Sequence, residues 1–292
     1  MSAGVSRPVT AGTLYIVATP IGNLGDLSPR AREVLSRVQL IAAEDTRHTR
    51  QLLQAFGIDT ALTSLHEHNE MHKSEALIAR LLAGESLALV SDAGTPLISD
   101  PGFELVAAAR AGGVSVVVVP GPCAAIAALS IAGLPTDRFV FEGFLPAKSA
   151  ARVARLRELA SEPRTMIFYE APHRLPEVLN DMAAEFGATR TAAVSRELTK
   201  RFETTYTGTL AHLAELAAQN ADMSRGEIVI IASGDPSPPG NAQALNADQL
   251  LRALLEELSP SQAAKIAAKL TGEKRSDLYA RAMQLGGAGK KE

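Results

Sequence analysis

Apolar and polar positions follow two periods along this chain, and the period decides the element. Short runs in which nearly every residue is apolar, Leu14–Thr19, Leu40–Ala43, Leu87–Ser91 and Val114–Val119, read as strands buried on both faces. Stretches with helical spacing lie between them. Ser28-Pro29 offers a cap and a first-turn proline ahead of the stripe Val34, Leu35 and Val38. A second helix runs through Leu52 and Phe56 to a stop at Gly57, a third covers Ser74–Leu82, and a fourth ends at Gly112-Gly113. This alternation predicts an α/β lobe over residues 13–135, a parallel sheet with helices on both faces.

The alternation then restarts. Phe139–Phe141, Thr165–Tyr169, Ala192–Ser195 and Ile228–Ala232 read as strands, and Arg152–Leu159, Pro176–Phe186 and Leu210–Ala218 as helices. Glu203–Thr209 (ETTYTGT) is rich in strand formers and suits an antiparallel excursion, so residues 136–234 predict a second α/β lobe with a mixed sheet. Residues 234–246 (GDPSPPGNAQALN) form a Pro/Gly-rich linker. Beyond it, Asp248–Leu258, Ser261–Leu270 and Arg275–Leu285 predict a small helical module over 247–292. Residues 1–12 have no apolar core segment; they read as a loose arm, not a signal peptide.

Charge separates the module from the rest. Residues 259–292 carry seven basic and three acidic side chains, a net +4 on a body of net −7. A basic helical appendage on an acidic body is the distribution of a nucleic-acid contact. Aromatics are only 4% of the chain, with no Trp, which argues against a strand-binding surface built on base stacking. One cysteine, Cys123, excludes an intrachain disulfide framework and fits a reducing cytoplasm. No apolar run approaches the roughly 18–20 residues that span a bilayer.

In open parallel sheets, ligands bind outside the carboxyl ends of the strands. Four such ends carry unusual sequence here: Thr19-Pro20-Ile21-Gly22-Asn23, Glu44-Asp45-Thr46-Arg47, Ser91-Asp92-Ala93-Gly94-Thr95-Pro96 and Pro120-Gly121-Pro122-Cys123-Ala124. They should converge on one crevice. That crevice is no dinucleotide site: the first strand is followed by no G-x-G-x-x-G, and Pro20 removes a backbone donor where a pyrophosphate needs one. Small, proline-rich loops suit a nucleoside held by backbone carbonyls and apolar walls, and S-adenosylmethionine is such a ligand.

The segments TPIGN, AAEDTRHT, HEHNE, VSDAGTPLISDPG, PGPCAAIAAL, GLPTDRF, EGFLP, FYEAPHR and SRELTK, in this order, resemble the ribosomal RNA small subunit methyltransferase I family of the tetrapyrrole-methylase superfamily. The resemblance runs from about Thr13 to Gly234, and the last helices are similar to that family's helix-turn-helix-like domain. One departure is Arg225 before Gly226-Glu227, where the family pattern has Lys. The resemblance implies a cytoplasmic homodimer of two-lobed subunits with S-adenosylmethionine between the lobes. It implies methyl transfer to the 2′-hydroxyl of a cytidine in 16S ribosomal RNA, at position 1402 of the rRNA numbering. Carried onto this sequence, the cofactor contacts fall on Pro20, Asp92, Gly94, Thr95, Ile98, Ser99, Cys123 and Ala124, with Tyr169 and Glu170 on the second lobe.

A ribose hydroxyl is a poor nucleophile and gains from a nearby base; Asp100, Glu170 and Glu197 are the candidates. His66 and His68, with Glu67, Glu70 and His72, have the composition of a metal cluster, but methyl transfer needs no metal and they read better as RNA-facing groups. Arg47 and Arg50, at a strand end, and Lys200 are further RNA candidates on the body; Lys265, Lys269, Lys274 and Arg275 are those of the module. Rival readings are a tetrapyrrole C-methyltransferase, an oxidoreductase using Glu44 or Asp45 on a ribose, and a non-enzymatic RNA-binding protein. The basic module and the HEHNE and YEAPHR segments oppose the first, and the missing glycine fingerprint the second. The set of strand-end loops is more than the third requires.

Overall fold

The apolar runs of the first half become β1 (Thr13–Val17), β2 (Leu40–Ala43), β3 (Leu62–Ser64), β4 (Leu87–Val90) and β5 (Ser115–Val119). They hydrogen-bond in the order β3-β2-β4-β1-β5, and every pair is parallel. The structure is a computed structural model describing residues 9–66, 69–236 and 247–287. Intervening helices are α1 (Pro29–Arg37), α2 (Thr46–Ala55), α3 (Glu70–Leu82), α4 (Phe103–Ala111) and α5 (Ala124–Ile131). Ser28 caps α1 as its sequence suggests, its Oγ accepting from the Ala31 amide at 3.0 Å.

Because strand side chains alternate, each strand feeds two cores. Tyr15, Val17, Ile41 and Val90 meet Val34, Leu35 and Leu53 on one face, and Leu14, Ile16, Leu87 and Leu89 meet Leu77, Leu81 and Leu105 on the other. Each fully buried aliphatic side chain contributes about 1.5–3 kcal/mol. Two elements escape the sequence reading. Strand β3 is three half-buried residues, too short for a periodic signal, and α5 is apolar all round, hiding its helical period.

The second sheet holds β6 (Phe139–Phe144), β7 (Thr165–Glu170), β8 (Thr191–Arg196), β9 (Thr204–Thr209) and β10 (Ile228–Ala232) in the order β6-β7-β10-β8-β9. Only β6–β7 is parallel; β9 pairs antiparallel with β8 across the expected excursion. Helices α6 (Ser149–Leu159), α7 (Leu175–Phe186) and α8 (Leu210–Gln219) cover one face through Leu156, Leu179, Met182 and Leu213. The other face, with Ile167, Ala193, Val229 and Ile231, packs on Ala125, Ala128 and Leu129 of α5 and on Ile21. An apolar helix of the first lobe thus serves as the second sheet's cover, and it draws the strand-end loops onto that sheet.

The chain divides into two compact units, Met1–Gly234 and Asp235–Glu292. Residues 1–8 of the expected arm lie outside the described residues, whereas Gly12 is tied down, its amide donating to the Gly84 carbonyl at 3.1 Å. Residues 237–246 of the expected linker also lie outside them. The second unit contains α9 (Ala247–Leu255), α10 (Pro260–Thr271) and α11 (Arg275–Gly287) around Leu251, Ala263, Ala264, Ala267, Leu278 and Ala282. Gln262 Oε1 accepts from the Ser259 amide at 3.3 Å and hydroxyl at 2.9 Å, closing the start of α10. Gly272, left-handed at φ +73°, ends it.

Candidate active site

All four strand-end loops leave one edge of the parallel sheet, and hydrogen bonds lace them together. Thr19 and Gly94 exchange backbone bonds of 2.8 and 3.1 Å, which stop β1 from continuing as far as its sequence suggests. Thr95 Oγ1 donates to the Pro122 carbonyl at 2.9 Å, and the Asp45 amide to Asp92 Oδ1 at 2.9 Å. Gly94 sits at φ +85°, where a Cβ would come within 3.2 Å of the Ile21 side chain. Leu97 and Ser99, at φ +73° and +67°, hold a conformation that L-residues adopt at a cost of about 1–3 kcal/mol each. Strain of that kind marks a loop shaped for something other than stability.

The loops and the second sheet enclose a cavity of about 420 Å³. Asp92, Gly94, Thr95, Ile98, Ser99, Cys123, Ala124, Tyr169 and Glu170 of the expected cofactor set line it, and so does Asp100. Pro20 does not; it lines a neighbouring cavity of about 370 Å³. Glu197 lines neither. Held at φ +51°, its carboxylate accepts from Lys200 Nζ at 2.9 Å and from the Glu227 amide at 3.1 Å. Burial pushes its pKa up, but those two donors and the Lys200 charge outweigh burial and hold the carboxyl below its ordinary value.

The cavity's charge is one-sided. Glu44, Asp92, Asp100, Glu170 and Glu227 line it, with no lysine, arginine or histidine. Burial pushes Asp100 up to about 6, against a bond from Ser91 and with the help of Glu44 and Asp92. Burial, then the Asp92 charge, raises Glu44 as well. Glu170 is 3% exposed and is raised by burial although the Ala171 amide donates to it at 2.7 Å and Arg174 stands 3.3 Å away. Burial and then Cys123 push the Tyr169 phenol well above its ordinary value; its oxygen accepts from the Ala125 amide at 3.2 Å, joining α5 to β7. Cys123 itself is the half-buried residue that precedes α5.

Ile21 lines it from the first strand-end loop, and Phe144, Leu198, Val229 and Glu227 are lining residues that the sequence reading misses. Glu44, in the second of the strand-end loops, lines the cavity as its place directly after β2 predicts. Phe144 has a tertiary cause. A bulge between Phe141 and Gly143 shifts the register of β6 against β7, and Phe141 and Phe144 both stand edge-on to Tyr169, at 4.9 and 5.7 Å between ring centres.

The RNA candidates are scattered. Arg47, its side chain 87% exposed, forks onto Asp45 at 2.7 and 3.1 Å, and Arg50 is exposed. His66 is half-buried, with Nε2 2.9 Å from Asn69 Nδ2; His68 lies outside the described residues. Lys200 is engaged by Glu197 and, at 3.1 Å, Glu227. Lys265, Lys269, Lys274 and Arg275 are exposed on the second unit. Among the described residues no group of three or more His, Cys, Asp and Glu side chains is arranged to hold a metal ion.

Residues 13–214 match the family model of Tetrapyrrole (Corrin/Porphyrin) Methylases, and residues 241–286 the RsmI C-terminal HTH domain. The chain is 60% identical over 271 residues to the ribosomal RNA small subunit methyltransferase I of Xylella fastidiosa, covering 92% of this chain and 98% of that one. The chain belongs to the ribosomal RNA small subunit methyltransferase I family. A second member, from Pseudomonas aeruginosa, is 55% identical over 94% of this chain and 98% of its own. The fold likeness extends further: uroporphyrin-III C-methyl transferase from Thermus thermophilus, solved with S-adenyl homocysteine, superposes with a TM-score of 0.52 at 18% identity, covering 76% of this chain and 96% of that one.

Proposed function

We propose that the protein binds S-adenosylmethionine in the 420 Å³ cavity and methylates the ribose 2′-hydroxyl of a cytidine in 16S ribosomal RNA, at position 1402 of the rRNA numbering. The observation that carries this reading is the lining: the carboxylates of Glu44, Asp92, Asp100 and Glu227 with that of Glu170 buried behind them, no basic side chain, and apolar walls. Such a cavity repels a pyrophosphate and favours a cationic nucleoside. The residues present fit the cofactor: Ile21, Ile98, Leu198 and Val229 would bracket an adenosine, and Asp92, Asp100 and Glu170 would face its positive charge. When bound, S-adenosylmethionine supplies a methyl group already activated by a sulfonium, so the chain's own task is orientation and proton uptake.

Asp100 is the best-suited base. Glu197 is occupied by Lys200, and the Glu170 side chain is fully buried and out of reach of an acceptor, whereas the half-buried Asp100 carboxyl, pushed up to about 6, is poised to take a hydroxyl proton near neutral pH. The exposed cations of the second unit support a role in docking rRNA. Homodimer formation is supported by the edge strand β5, which exposes Val118, and by Ile126 and Ile131 exposed on α5. An rRNA substrate places the proposed site of action in the cytoplasm; no helix among the described residues is long and apolar enough to cross a membrane.

The test is methylation of small-subunit rRNA from a strain lacking the enzyme, followed by alkaline hydrolysis and mass spectrometry. A 2′-O-methyl group blocks cleavage at its own linkage, and a 2′-deoxy target nucleotide abolishes transfer. Unchanged transfer to the deoxy target would move the methyl to the base and defeat the reading.

A further inference from the structure

The second cavity, of about 370 Å³, shares Ile21, Asp92, Ala93 and Glu227 with the first. The rest of its lining comes from the turn after β1, with Pro20 and Leu24, from α2, with His48, Thr49, Gln51, Leu52 and Ala55, from Ser91, and from Lys200, which is paired with Glu227. None of these α2 side chains has a part in the chemistry described so far. Thr49 is only 4% exposed, lines the cavity, and has a hydroxyl with no hydrogen-bond partner. A buried hydroxyl in that state destabilises a free protein and is one of the signs of an unfilled site. Threonine on a helix ordinarily bonds back to the preceding turn, and this one does not.

We infer that the second cavity receives the acceptor nucleotide, a cytidine turned out of its strand. The inference rests on the methyl-transfer reading. A reacting oxygen must come within about 3–3.5 Å of the methyl carbon, so the acceptor has to occupy space contiguous with the cofactor's, and these cavities share a wall. Its volume falls in the range of small-ligand sites, roughly 300–1,000 Å³. Pro20, Leu24, Leu52 and Ala55 present aliphatic surface to the faces of a base, in place of aromatic walls. On the polar side, Gln51 and Thr49, whose buried hydroxyl turns into the cavity by rotation about χ1, donate to the O2 and N3 acceptors of cytosine. The carboxylates of Asp92 and Glu227 accept from its N4 amino group. Uracil carries an oxygen where cytosine carries that amine, so the carboxylates disfavour it.

The experiment uses the full chain and two substitutions, Thr49→Val and Ala55→Trp. Val keeps the shape of Thr49 and removes only the hydroxyl, and Trp at the exposed Ala55 fills the cavity. Three quantities are measured: affinity for S-adenosylhomocysteine, KM for small-subunit rRNA, and binding of CMP and UMP to protein saturated with S-adenosylhomocysteine. The expected result is CMP bound more tightly than UMP, and S-adenosylhomocysteine affinity unchanged in both variants. KM should rise and CMP affinity fall by about tenfold in Thr49→Val, the worth of one lost hydrogen bond, and by more in Ala55→Trp. Thr49→Val should melt no lower than the unaltered protein, which separates lost recognition from lost folding. Unchanged KM and CMP affinity in Ala55→Trp would overturn the proposal. Lost S-adenosylhomocysteine affinity in that variant would overturn it too, by assigning the cavity to the cofactor. Failure of the unaltered protein to bind S-adenosylhomocysteine would instead bring down the methyl-transfer reading.

Discussion

Replacing Asp100 by Asn should make the protein more stable and a poorer ligand for cations. Its carboxyl is pushed up to about 6 by burial, with Glu44 and Asp92 adding repulsion. In the unfolded chain an aspartate titrates near 3.9. Between those values the folded protein holds a proton that the unfolded chain has lost, so stability falls as pH rises from about 4 to 6 and is level beyond. The whole gap is worth up to about 3 kcal/mol at 1.36 kcal/mol per pH unit. The side chain is only half-buried, and solvent screening reduces this to about 2 kcal/mol. Asn keeps the shape, still accepts from Ser91, and carries no charge at any pH. Urea unfolding of both proteins at pH 7.5 and pH 4 measures the difference. The variant should gain about 2 kcal/mol at pH 7.5, roughly 4–8 °C in Tm for a unit of this size, and about 0.5 kcal/mol or less near pH 4. Its affinity for S-adenosylmethionine should drop at pH 7.5 and lose its pH dependence between 5 and 7. A gain that is the same at both pH values would refute the electrostatic account.

Gly226→Ala should destabilise by about 1–3 kcal/mol, because φ is +78° and a Cβ would collide with the Glu197 carboxylate; thermal melting checks it. Glu70→Gln should cost about 1–3 kcal/mol, since the buried Glu70 carboxylate accepts from the amides of Glu104 and Leu105 at 2.8 and 3.3 Å, where Gly102 offers α4 no side-chain cap; urea midpoints at pH 7.5 measure this. Replacing Lys265, Lys269, Lys274 and Arg275 together by Ala should flatten the log–log salt dependence of rRNA affinity by roughly 0.7–0.9 for each lost phosphate contact. S-adenosylmethionine affinity should stay as it was; an unchanged salt slope would remove these side chains from the RNA contact.

The lobes, their strand–helix alternation and the convergence of four strand-end loops were legible in the sequence because each rests on local information. Apolar runs as short as Leu40–Ala43 commit to strands, Ser28-Pro29 caps α1, and a parallel sheet brings its carboxyl ends to one edge whatever the details. The family's motifs carried most of the cavity lining as well. What the sequence left open depends on pairs of residues far apart in the chain. That Pro20 faces the second cavity follows from Thr19 leaving β1 to pair with Gly94, 75 residues on. That Glu197 is tied down while Asp100 is raised depends on whether Lys200 or another carboxylate stands beside it, which residue type does not state. The cluster of Phe141, Phe144 and Tyr169 requires a bulge in β6, a register choice made between strands. Composition counted few aromatics; tertiary structure decided that Phe144 and Tyr169 would line one cavity with Phe141 packed against Tyr169, because position in a sheet is fixed by its neighbours and not by the strand alone.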